Sequence, residues 1–378
     1  MKRLLLPILF FLWHAAYAQE EVAKDTVAQP APIIEKLFNT ADHMVDWLSG
    51  DRWTFIPAVT YSPETRLGLG VRAIRIFRPA EGSINRPSTL PVTFLYTLNK
   101  QLIFSTELDL WANENLDHLS ARIELSDYPF EFYGIGNNLT GTQAEHYASR
   151  KIHVVAAYQK RLGNRFYIGP QYEFKGEDIY QKATGGLLDA GDLRGSNGQR
   201  ISGLGLAFSY DTRNNIFQPD RGAYHQAQVM SYHPFLGSQF TFTKYVLDFR
   251  KYLPVHNRQV LAVQAWYSLV TGGAPFQEIS LIGGSDVMRG YFEGRYRDRN
   301  AMVYQAEYRV PVHRKLGVVL FGSAGQVADK VFSFSFGGFK YGGGLGFRYR
   351  LTDDGLNIRL DLAYGDQASF YFGLNEVL

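Results

Sequence analysis

The chain has no cysteine among its 378 residues. That excludes a lipoprotein anchor, a disulfide framework and a thiol nucleophile. Neither sign of charge dominates, and a formal net charge of +3 is too small to argue for a nucleic-acid partner. Beyond the extreme N-terminus no apolar run is long enough to cross a membrane as a helix. The histidines at 43, 118, 146, 153, 225, 233, 256 and 313 show no metal-ligand spacing, so neither a metal nor a cofactor is expected. Ser285 lacks a nucleophile-elbow frame, because Val287 stands where the second glycine would be. Glu107, Asp109 and Asp361 are acids of the kind any polar barrel interior carries, and they make no paired-carboxylate site. No catalytic residue is assigned, and the chain does not read as an enzyme.

What is present points outward from the cell. Lys2 and Arg3, an apolar run from Leu4 to Trp13 and the small-x-small pattern Ala16-Tyr17-Ala18 read as a signal peptide over 1–18, with the mature chain starting at Gln19. Residues 19–52 are expected to form a periplasmic linker and an amphipathic helix. Ile33, Ile34, Leu37, Phe38, Ala41, Met44, Val45 and Leu48 recur at helical spacing, between Pro32 and Gly50. With 24 Tyr, 27 Phe and 37 Gly but no spanning helix, an exported chain fits a transmembrane β-barrel, and a secreted β-sandwich is the bland alternative.

The strands carry the rest of the argument. In Ile358-Arg359-Leu360-Asp361-Leu362-Ala363-Tyr364 the odd positions are polar or small and the even ones apolar. Tyr304 to Val310 and Tyr341 to Arg350 alternate likewise, so each strand meets two environments. About sixteen such segments run from 53–61 to 368–377, an even number as single-chain barrels require. The expectation is an all-β, 16-stranded antiparallel transmembrane barrel over 53–378. One long glycine-rich connection, about Thr271 to Arg299, interrupts the strands, and compact domains rarely carry such a loop without a use for it.

Within that loop Met288-Arg289-Gly290-Tyr291 resembles the Val/Ile-Arg-Gly-Phe/Tyr signature of the outer-membrane assembly and translocation barrels, the BamA/TamA or bacterial surface antigen superfamily. Other segments resemble the same family in order and spacing. They are Tyr128 to Asn137, the Asp211-Thr212-Arg213 hairpin with Pro219 to Gly222, Glu307 to Pro311, Phe321 to Gly325, and Gly342 to Arg348 followed by Ile358 to Tyr364. The resemblance implies that the extracellular loop folds back into the lumen, with Arg289 against acids of the inner wall. Glu307 has inward parity and is the expected partner; Ser323 stands where the family usually has an aspartate. Gly290 lets the tip turn, Tyr291 packs beside it, and the glycines at 342, 344 and 346 keep the wall open.

The implied function is outer-membrane biogenesis: insertion or translocation of proteins, with lipids as a further option. The implied location is the outer membrane of a Gram-negative bacterium, with both termini periplasmic. Its partners would be outer-membrane lipids and client barrels or an assembly complex, and no nucleic acid. With only a short stretch before the barrel, no POTRA domain is expected, and the chain resembles the short, receptor-less branch. Pro57 in the first strand cannot donate a ladder hydrogen bond, so the seam between first and last strands is expected to be weak. The alternatives are a passive or gated pore and an accessory structural barrel.

Overall fold

A computed structural model describes residues 53–77, 84–139, 143–256, 258–313, 315–351 and 355–378. The signal segment, the linker and the helix expected over 33–48 lie outside these residues.

Alternation becomes pleat. The strands are β1 (Thr54–Ser62), β2 (Arg66–Phe77), β3 (Ser88–Thr97), β4 (Leu102–Ala112), β5 (Asp117–Phe132), β6 (Glu145–Leu162), β7 (Phe166–Lys182), β8 (Gly198–Asp211) and β9 (Gly222–Tyr232). They continue with β10 (Phe242–Pro254), β11 (Val260–Gly272), β12 (Ser280–Ile282), β13 (Tyr296–Asp298), β14 (Asn300–Pro311), β15 (Leu316–Ala328), β16 (Lys340–Arg350), β17 (Asn357–Tyr364) and β18 (Ala368–Leu374). All but β12 and β13 close into one antiparallel barrel of 16 strands, each paired with its neighbour in the chain, β11 with β14 across the long loop, and β18 with β1. The short β12–β13 hairpin lies inside the loop and was not expected from the sequence.

The two faces separate as the alternation demands. On the outside Leu320 is 58% exposed and Phe347 50%, while the inward-facing Glu307 and Asp361 are both 0% exposed. An apolar exterior around a charged interior is stable only where the exterior meets lipid.

Strands β5, β6 and β7 have 16, 18 and 17 residues. A tilted membrane crossing needs about 9–11. Sequence alternation places their ends near 126, 150 and 175, where the regular pattern fades; beyond the bilayer a strand has no apolar face to maintain. The overrun is at the loop end of the barrel, where the β11–β14 connection leaves. There, too, the one-turn helix α1 (Leu187–Ala190) sits on the rim, its first amides bonded to the Glu145 carboxylate at 2.9 and 3.2 Å. Phe336–Gly338 form a 3₁₀ turn just before β16, and the last strand ends at Leu374 rather than 377.

Candidate functional site: the lumen loop and the seam

The loop is built around a left-handed turn. Met288 has φ 67° and Gly290 φ 100°. A Cβ on Gly290 would lie 2.7 Å from the Tyr364 carbonyl carbon, so only glycine fits. The backbone of the turn is bonded to the wall. Met288 N–H donates to the Gln305 side chain at 3.0 Å and Gly290 N–H to the Tyr371 hydroxyl at 3.1 Å. The Gly290 carbonyl accepts from Asp366 and Gln367. Tyr291 donates its hydroxyl to the Tyr341 carbonyl at 2.9 Å.

Between these anchors Arg289 points into the wall and is 1% exposed. Its guanidinium donates to Glu307 at 2.6 Å and to Asp361 at 2.5 Å, and lies 3.6 Å from the Phe321 ring centroid. Two carboxylates and an aromatic face replace the water the charge has lost.

The structure thus brings Met288, Arg289, Gly290, Tyr291 and Glu307 together. Ser323 lines the wall beside them, but its hydroxyl donates to the Gly342 carbonyl at 3.4 Å. Phe321, two residues earlier on the same face, takes the guanidinium's flank, and the second acid comes from a different strand. That acid, Asp361, was the partner missed; its inward parity in β17 was legible, but its position opposite Arg289 is set by barrel closure. Gly342 gives the loop room, since a Cβ there would lie 2.8 Å from the Arg289 carbonyl oxygen. At Gly346 the space goes instead to Asp361 and Arg348, whose side chains a Cβ would meet at 2.4 and 2.7 Å.

The flanks of the loop are fastened separately. Arg295 bonds Asp366 at 2.9 Å and the Leu139 carbonyl at 3.0 Å. Phe292 packs on Phe130 and Tyr133 of the β5 side, ring centroids 5.3 and 5.7 Å away. At the loop's root Glu278, 1% exposed, meets Lys175 at 2.6 Å and Lys244 at 3.7 Å. Burial pushes the Glu278 carboxyl up, but the two ammonium groups hold it below the ordinary carboxylate value.

The seam contrasts with this fastening. β1 pairs with β2 through nine residue pairs, Thr54–Ile74 to Ser62–Arg66, but with β18 through Tyr61–Phe372 alone. A cavity of about 440 Å³ opens beside it, lined by Pro57 to Ser62, by Tyr371 to Leu374 and by the loop residues Ser285, Asp286 and Glu293. Tyr61 and Phe370 meet edge to face across the gap at 5.5 Å.

Comparison with known proteins agrees with this geometry. The profile of the Omp85 superfamily domain matches residues 87–376. The fold is similar to the structure of BamA from Haemophilus ducreyi lacking POTRA domains 1–3, with TM-score 0.58 and 10% identity over 86% of this chain and 70% of that one. It is also similar to CdiB from Acinetobacter baumannii (TM-score 0.52, 12% identity, 86% of this chain and 60% of that one). A third similar structure is CdiB from Escherichia coli (TM-score 0.55, 11% identity, 86% and 63%). The chain therefore spans less than two thirds of either CdiB chain. No curated protein matches it in sequence. The closed barrel, the arginine-tipped loop and a profile match over most of its length place this chain in the Omp85 superfamily, the outer-membrane barrels of protein insertion and translocation.

Proposed function

We propose that this barrel passes polypeptide into or across the outer membrane by opening the β1–β18 seam, while the lumen loop holds the rest of the wall in shape. The observation that carries this reading is the single registered pair at the seam beside a lined cavity. An edge with free N–H and C=O groups can pair with an incoming strand. Pro57 lies in the stretch of β1 that has no registered partner in β18, and it has no N–H to donate. The cavity reaches the loop residues Asp286 and Glu293, so a client entering from the lumen meets the seam without crossing the packed core.

In this reading the loop end faces the cell exterior and both chain termini face the periplasm. The long β5–β7 strands and the large connections at the loop end support that direction. The client is a polypeptide with an unpaired strand edge; the partners are such clients, an assembly complex and the surrounding lipids. The protein acts by positioning strands and makes or breaks no covalent bond.

The test uses the chain's lack of cysteine. Tyr61→Cys with Phe372→Cys places two thiols at the registered pair, where antiparallel Cα spacing suits a disulfide. Oxidation should stop client insertion into liposomes and reduction should restore it. Equal activity of the oxidised and reduced forms would overturn the gating seam.

A further inference from the structure

The four residues after β18 do not extend the wall. Asn375 N–H donates to the Asn357 carbonyl at 2.9 Å, and the chain then turns inward across the end of the barrel opposite the loop. The Glu376 carboxylate accepts from Arg348 at 2.7 Å and from Asn357 at 3.0 Å, and lies 3.8 Å from Arg309. The Val377 carbonyl accepts from Arg250 of β10 at 3.2 Å, and the Leu378 carbonyl from Arg309 at 2.7 Å. Val377 and Leu378 are buried among Tyr252, Val260 and Ala262. In four residues the segment therefore passes from the seam side to the far wall.

Its acid completes a closed circuit. Arg289 holds Glu307 and Asp361, Arg309 holds Glu307, and Arg348 holds Asp361 at 2.7 Å; Glu376 joins Arg309 to Arg348. The ring alternates three guanidinium groups with three carboxylates, and two of the acids are those that hold the loop tip. Without Glu376, the buried Arg309 and Arg348 would each lose a carboxylate, a costly loss.

We propose that this end of the lumen is a docking site for an acidic–apolar peptide, recognised by Arg250, Arg309 and Arg348 and an apolar wall, and that residues 375–378 occupy it in cis. Docking and loop latching reinforce each other, because both depend on Glu307 and Asp361. A client segment of the same chemistry competes with the cis segment for the site.

The experiment removes residues 375–378 and adds a fluorescent Asn-Glu-Val-Leu peptide, amidated so that its only carboxylate is the glutamate. The refolded barrel should bind it saturably, and Asn-Gln-Val-Leu should bind about 10-fold more weakly, the size of one lost charge-assisted hydrogen bond. No saturable binding, or equal binding of the two peptides, overturns the proposal. Should the shortened barrel fail to fold, the full chain still decides. Leu378→Cys, the only thiol present, should react slowly with a polar maleimide, and adding Glu376→Gln should speed it about 10-fold. Equal rates in barrels whose electrophoretic mobility reports the folded form would overturn it as well.

Discussion

Arg289 is a charge that the fold can bury only because its partners come from distant parts of the chain: Glu307 from β14, Asp361 from β17 and the Phe321 ring from β15. Replacing it with alanine takes one of its buried guanidinium partners from each acid, leaving Glu307 to Arg309 and Asp361 to Arg348. Breaking a buried pair by removing one partner costs about 3–5 kcal/mol. The Arg289→Ala barrel should therefore unfold at clearly lower denaturant than the parent in detergent. Lysine should not rescue it, since one ammonium cannot reproduce a planar fork shared between two carboxylates and a ring. A lysine variant as stable as the parent would show that charge alone, not geometry, holds the loop. The glutamate was readable in advance from the parity of β14. The aspartate was readable only as inward-facing, because its approach to Arg289 depends on the register of strands joined late in the barrel, and no local pattern reports that.

At the scale of elements the strands were the most legible part, because a period of two sustained over ten residues suits a pleated strand and little else. What the pattern did not mark were segments whose environment is neither lipid nor lumen: the overrun of β5 to β7, the small β12–β13 hairpin and the inward turn after Leu374. Each is fixed by tertiary contacts rather than by a face. The loop's root is one such contact and has a pH signature. The folded Glu278 carboxyl lies below its ordinary 4.5, so its contribution is full above that value and is lost as pH falls through the lowered one. Glu278→Gln should thus lower the thermal midpoint at neutral pH. The gap to the parent should close as pH falls through that lowered value. A gap unchanged across that range would mean that Glu278 acts by packing and not by its charge on Lys175 and Lys244.

At the scale of the whole molecule, stability is unevenly spread around the ring of strands, and the function follows from where it is thin. β5 and β6 pair over sixteen positions, from Asp117–Lys160 to Phe132–Glu145, while β1 and β18 share one. The loop is fastened to β14, to β17 and to the β5–β6 connection, and it touches the seam strands through Tyr371 of β18 and through Glu64 in the β1–β2 turn. What the seam lacks is backbone pairing along most of the β18-facing edge of β1. Local openings in a native protein expose amides with free energies set by such local pairing. Amides of β1 that face the seam should therefore exchange with deuterium orders of magnitude sooner than those of β5, β6 and β7 in the folded barrel. Those of β2 should stay protected through its nine pairs with β1. Mass-resolved exchange on the refolded protein separates these strands directly. Protection of β1 equal to that of β6 would mean that the seam is held by more than its one registered pair, and a lateral route for a client would then have no physical basis in this barrel.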